Sequence, residues 1–149
     1  MSYPPSLFLI PTILAPYTAA QVLSSQVTEV IGQLDYFLVE EVRTARRFIS
    51  SLRLGRVIEQ LNFQELSKKT APTEILEYFH ALPEGVDVGV LSEAGCPGVA
   101  DPGAVAVEIA HTLGWRVAPL VGPSSILLAL MASGFSGQSF AFQGYLPID

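Results

Sequence analysis

Short, nearly unbroken apolar runs alternate with longer segments whose apolar residues recur at helical spacing, and nothing else in this chain constrains its fold as strongly. "LFLIP" (7–11), "YFLVE" (36–40), "DVGVLS" (87–92) and "WRVAPLV" (115–121) read as strands, and "RVIEQLNF" (56–63) is placed as a further one. Between them, "AAQVLSSQVTEVIGQL" (19–34) carries Val22, Leu23, Val27, Val30 and Ile31 on one helical stripe. "VRTARRFISSL" (42–52), "APTEILEYFHAL" (71–82), "GAVAVEIAHTLG" (103–114) and "SSILLALMASG" (124–134) read as helices. Thr70 is expected to cap the third of these five, with Pro72 and Glu74 in its first turn, and Gly114 and Gly134 to close the last two. Strand and helix alternate with no hairpin signature, no internal repeat and no low-complexity segment. The expected fold is therefore α/β, a five-stranded parallel sheet flanked by helices and joined by right-handed crossovers.

Parallel strands buried on both faces explain part of an apolar composition of 50%, against only 15% charged residues. A face meant to lie against another domain or subunit would explain the rest. The longest apolar run, "ILLALMA" (126–132), falls far short of the roughly 20 residues that cross a bilayer. "SLFLIPTILAP" (6–16) has no basic residue before it and is broken by prolines, unlike a secretory signal. One cysteine, Cys96, leaves no intrachain disulfide and no cysteine cluster for a metal. A cytoplasmic protein without a metal site is expected.

The net charge of −6 builds in no long-range attraction to nucleic acid. Seven of the eight basic residues nevertheless fall between Arg43 and Lys69. They form either a solvated helix face with its flanking loops or a local patch that touches phosphate.

In an open parallel sheet, ligands bind beyond the carboxyl ends of the strands. The loop "SEAGCPGVADP" (92–102) leaves the fourth strand there. Asp101, Pro102 and Gly103 read as N-cap, first and second helical residues, which is a structural task. Capping does not account for Gly95 and Gly98, which let backbone approach a ligand, or for Ser92 and Glu93 at the strand end. A carboxylate there suits a ribose hydroxyl or a cation better than a phosphate, and the spacing matches neither G-x-G-x-x-G nor a P-loop. The turn "PLVGPSSI" (119–126) leaves the fifth strand, and Ser124 or Ser125 either caps the next helix or offers hydroxyl and N–H groups to a carboxylate. His80 and His111 lie on helix bodies and are read as surface or packing residues. Cys96 has no activating base and is read as loop filler.

"LSEAGCPGVADPG", "VAPLVGPSSILLALMASGF" and "FAFQGYLP" together resemble the tetrapyrrole-methylase superfamily of S-adenosylmethionine-dependent methyltransferases. They are most similar to its small-subunit rRNA 2′-O-ribose methyltransferase I branch, with an S-D-A-G-T-P…D-P-G loop, a P-G-P-serine/alanine turn and an F…G-[FY]-L-P ending in the same order. "LFLIPT" and "VEEVRTARRF", the latter similar to the family's A-E-D-T-R segment, carry the resemblance into the first half. It implies an N-terminal α/β domain over residues 1–147 and, from 148–149 onward, the link to a C-terminal domain that this chain lacks, with S-adenosyl-L-methionine in the cleft between the two. On this resemblance Pro11, Ser92, Glu93, Gly95, Val99, Asp101, Ser124 and Ser125 line the cofactor cleft, and no metal is needed. Glu40 and Arg43 match the acidic and basic pair near the catalytic cleft, or form an ordinary ion pair at the start of the second helix.

The implied activity is methyl transfer to small-subunit rRNA ribose, with RNA or a ribosomal subunit as partner and a homodimer as the expected assembly. A tetrapyrrole or other small planar acceptor is the alternative enzyme reading, and a degenerate module binding only cofactor or a protein is the non-enzymatic one. The chain departs from the branch at "PTILAP", which lacks the glycine and asparagine of P-T-P-I-G-N, at Glu93 in place of Asp, and at Cys96 in place of Thr. These changes bear on the acceptor more than on the cofactor. Phe140, Phe142 and Tyr145 sit in a segment (139–147) that reads either as a strand along the sheet edge or as the start of a further unit.

Overall fold

The computed structural model describes residues 3–148; the expected link at Asp149 lies outside them. Five parallel strands form one sheet: β1 (Ser6–Ile10), β2 (Tyr36–Val39), β3 (Asn62–Glu65), β4 (Val88–Leu91) and β5 (Arg116–Pro119), in the order β3-β2-β4-β1-β5. The helices are α1 (Ala19–Val22), α2 (Ser25–Gln33), α3 (Val42–Ser51), α4 (Pro72–Ala81), α5 (Gly103–Thr112) and α6 (Ser125–Ser133). The α/β class and the five-stranded parallel sheet read from the sequence are both present.

Side-chain alternation along the strands builds two cores. Ile10, Phe37, Val39 and Leu91 point to one face and pack with Val27 and Ile31 of α2 and Ala45, Phe48 and Ile49 of α3. Leu7, Leu38, Val88 and Val90 point to the other and meet Ile75 and Phe79 of α4 and Ala106 and Ala110 of α5. Burying each of these larger side chains removes apolar surface worth about 1.5–3 kcal/mol.

Three local expectations shift. The helix over 19–34 is two helices, because Leu23 and Ser24 adopt extended backbone (Ser24 φ −71°, ψ 159°) although the apolar stripe continues across them. The third strand starts at Asn62, after a 3-10 turn at Ile58–Gln60, and not within 56–61. Thr70 does not cap α4. Ala71 holds the cap position, its N–H donating to Glu74 at 2.6 Å, while Thr70 accepts from the Ser67 N–H at 3.0 Å. The segment 139–147 forms no strand at the sheet edge; Phe142 and Tyr145 pack edge to face with ring centroids 5.5 Å apart, and the segment stays exposed.

Among the described residues, the Tyr78 hydroxyl is the buried side-chain polar atom without a hydrogen-bond partner. Burial, with Tyr36 nearby, pushes its pKa well above the ordinary tyrosine value. An unpartnered hydroxyl contributes desolvation cost and nothing in return. Tyr78→Phe is therefore expected to leave stability unchanged or raise it by up to about 1 kcal/mol in urea denaturation. A loss of that size would mean that the hydroxyl has a partner.

Candidate functional site: a crevice where the winding reverses

The strand order places the site. From β1 the chain winds across one face of the sheet through α1–α3, and after β3 it returns across the other face through α4 and α5. β1 and β4 are neighbours, yet their exit loops leave toward opposite faces. A crevice opens between diverging loops at such a point, and ligands of open α/β sheets bind there.

Short bonds hold the loops in place. The Thr12 N–H donates to the Gly95 carbonyl at 3.0 Å, and the Thr12 hydroxyl donates to the Ser92 carbonyl at 3.2 Å. The Ser92 hydroxyl lies 3.3 Å from that of Thr12 and also donates to the Gly95 carbonyl. Both side chains are buried, so these hydroxyls act inside the protein. The loop after β5 closes against the same turn. Gly95 has φ +69°, and a Cβ there would stand 2.9 Å from the Pro123 carbonyl oxygen. A Cβ on Gly122 would stand 2.1 Å from the Pro11 ring. The Cys96 thiol donates to the Gly122 and Pro123 carbonyls at 3.5 and 3.3 Å, and burial raises its pKa. It cross-ties the loops as a thiol, in keeping with a packing role.

Pro11, Ser92, Glu93, Gly95 and Ser124 thus belong to three loops that converge at one end of the sheet. Asp101 ties its own loop: its carboxylate accepts from the Gly98 N–H and, at 2.8 Å, from the Gly103 N–H. Pro102, one residue later than expected, is the cap position of α5. Burial raises the Asp101 pKa against the pull of these two N–H groups. Val99 is exposed. Ser124 is the N-cap of α6 and accepts from the Leu127 N–H at 3.4 Å, while Ser125 is the first helical residue.

Glu40 and Arg43 do not form the ion pair that was one reading of them; among the described residues the ion pair found is Arg56–Asp35. Glu41 instead caps α3, accepting from the Arg43 N–H at 2.8 Å and from both the N–H and hydroxyl of Thr44 at 2.6 Å. The Thr44 hydroxyl and these amides hold its carboxyl below the usual range. Glu40 flanks a narrow notch with Asp101 and Gly103 at the ends of β2 and β4.

A cavity of about 890 Å³ runs from Ser92 and Glu93 at the end of β4, past Thr12–Tyr17 after β1, to Thr44, Arg47 and Arg53 on and beyond α3. Burial first, then the charges of Glu40 and Glu41, raise the Glu93 pKa. A carboxyl raised in the folded state contributes most to stability below its unfolded pKa, and loses that contribution as pH climbs through the folded value. Glu93→Gln is therefore expected to raise the thermal midpoint at neutral pH. The gain should shrink under acid and with added salt.

The sequence reading missed Thr12 and Tyr17, and placed Arg47 and Arg53 only within the basic run over 43–69. Thr12 was visible as a polar residue directly after an apolar strand; Tyr17 carries no local signal.

A doubly wound α/β domain with a glycine-walled crevice at the reversal of its winding is what this architecture defines. No family model matches the chain. Among curated proteins it is similar to the Ribosomal RNA small subunit methyltransferase I of Thermotoga maritima, 34% identical over 117 residues, 78% of this chain and 50% of that protein. The protein of the same name from Vibrio cholerae is 28% identical over 96% of this chain and 47% of its own length. That of Mesorhizobium japonicum is 31% identical over 97% and 46%. The chain belongs to the tetrapyrrole-methylase superfamily, with the small-subunit rRNA methyltransferase I proteins as its relatives. It spans about half the length of the curated relatives it matches.

Proposed function

We propose that the protein is an S-adenosylmethionine-dependent methyltransferase that methylates ribose 2′-hydroxyls of small-subunit rRNA, with the cofactor in the crevice formed by the loops after β1, β4 and β5. The convergence of these loops carries the reading. Gly95 and Gly122 let these loops close onto one another, since a Cβ on either would strike Pro123 or Pro11. Glu93 offers an exposed carboxylate suited to a ribose hydroxyl or a cationic group. The first N–H groups of α6, beside Ser124 and Ser125, suit a carboxylate. Bound there, the cofactor supplies a methyl group on a sulfonium. The protein's own task is to hold the acceptor hydroxyl in line in a site with little water. Glu40 is the proposed acceptor of the hydroxyl proton, and Arg43, on the first turn of α3, the proposed basic member of the catalytic cleft.

Two further parts of the proposal concern assembly. Leu127, Leu128, Met131 and Phe135, on and just after α6, are exposed, and no residue of that helix is buried. An apolar helix left uncovered, in a chain matching half of its relatives' length, supports a second domain seated there and a homodimer of the whole. No described helix is long and apolar enough to cross a membrane; cytoplasmic residence is proposed with the rRNA substrate.

The test is methyl transfer from labelled donor by the native protein carrying this chain, offered small ribosomal subunits or a porphyrin precursor. Label in 2′-O-methylribose of the RNA is expected. Label in the porphyrin alone would replace the acceptor, and no label in either would remove the enzymatic reading. Glu93→Gln should weaken donor binding by about tenfold, the size of one charge-assisted hydrogen bond.

A further inference from the structure

The cavity extends from the end of β4 toward α3, with no residue of the loop after β5 in its lining, and its two ends differ in charge. Its inner end holds Glu93 with Glu40 and Glu41 close by; its outer wall carries Arg47 and Arg53. Among the described residues, neither of those guanidinium groups has an acidic partner or a hydrogen bond. The neighbouring arginines are engaged, Arg56 on the end of α2 and Arg46 over the Phe63 ring at 5.7 Å. Apolar Ile13, Leu14 and Phe48 floor the space between.

Left-handed backbone also occurs along this wall, at Arg53 where α3 closes and at Tyr17 in the turn before α1. Only three described non-glycine residues have positive φ, and two of them, Tyr17 (63°) and Arg53 (53°), line this cavity. Closing α3 accounts for Arg53, whereas at Tyr17 the conformation costs about 1–2 kcal/mol. Tyr17 is also fully exposed, so its ring does no packing that would explain the strain.

We propose that Tyr17, Arg47 and Arg53 form the acceptor subsite, where one unpaired RNA nucleotide stacks its base on the Tyr17 ring and sets its flanking phosphates on the two guanidinium groups. This rests on the reading of RNA as acceptor. A planar base, a sugar and two anionic groups match an aromatic face, an apolar floor and two free cations. The acidic inner end excludes phosphate and so orients the ribose toward the cofactor crevice. A net charge of −6 is then no obstacle, because the attraction is local.

The experiment titrates labelled oligoribonucleotides against the native protein by fluorescence anisotropy, with donor calorimetry in parallel. Single-stranded RNA is expected to bind better than a duplex. Tyr17→Ala should weaken it about tenfold, while Tyr17→Phe retains binding. Neutralising both cations, in Arg47→Gln with Arg53→Gln, should lower the slope of log affinity against log salt by about 1.4. Lys68→Gln with Lys69→Gln, away from the cavity, should not. Wild-type affinity in the cavity variants, an equal loss in the lysine control, or binding of the porphyrin precursor alone would overturn the subsite. If RNA binding follows the expected pattern but the donor gives no heat, the methyltransferase reading falls and the subsite stands. Donor binding with no effect of these substitutions on RNA reverses that outcome.

Discussion

Gly122→Ala is expected to weaken donor binding by at least about tenfold and to cost the fold about 1–3 kcal/mol. The added Cβ would stand 2.1 and 2.2 Å from Cβ and Cγ of Pro11. Pro11 is fully buried and its ring is rigid, so it cannot rotate away. The loop after β5 must lift instead. That breaks the Cys96 contacts to the Gly122 and Pro123 carbonyls and opens the crevice where Gly95 meets Pro123. Gly95→Ala strains the same contact from the other side, with the added cost of a side chain at φ +69°. Calorimetry with the donor reads the first effect and urea denaturation the second. An alanine at 122 with native affinity would show that the two loops need not touch for the cofactor to bind.

Arg56→Ala is expected to lower stability by about 2–3 kcal/mol, or roughly 5–10 °C in the thermal midpoint. Its Nη1 donates to the carbonyls of Ile31, Gly32 and Leu34 at 3.3, 2.7 and 2.9 Å, and Nη2 pairs with Asp35. These are the carbonyls left over at the end of α2, where no glycine closes the helix. One guanidinium thus satisfies three acceptors and places a cation at the negative end of the helix dipole. Lysine offers a point charge without the planar fork, so Arg56→Lys should recover less than half of the loss. A loss below about 0.5 kcal/mol in the alanine variant would mean that water serves those carbonyls equally well.

The strands that lie between neighbours were legible in the sequence, and the exceptions have physical causes. β1, β2 and β4 are buried on both faces and read as apolar runs. β3 is an edge strand of sequence Asn62-Phe63-Gln64-Glu65, too short and polar to stand out, and the apolar residues just before it belong to a 3-10 turn. The break at Leu23–Ser24 hides because the helical stripe resumes in phase. In the site, Ser92, Glu93 and Gly95 were visible as residues unusual for a strand exit. That Gly95 meets Pro123, and that Thr12 ties Ser92 and Gly95 to the end of β1, depends on strand order, which local spacing does not encode. The basic run over 43–69 was read as solvated or phosphate-touching, and it divides: Arg56 caps a helix, Arg46 covers Phe63, and Arg47 and Arg53 line the cavity.

Hydrogen exchange of the native protein with and without saturating S-adenosylmethionine tests the central claim most directly, since it reports where the donor rests. Slower exchange is expected in three separate stretches, 11–16, 92–101 and 120–126, together and at one ligand concentration. Protection that avoids all three at saturation would contradict the placement of the cofactor between the loops after β1, β4 and β5.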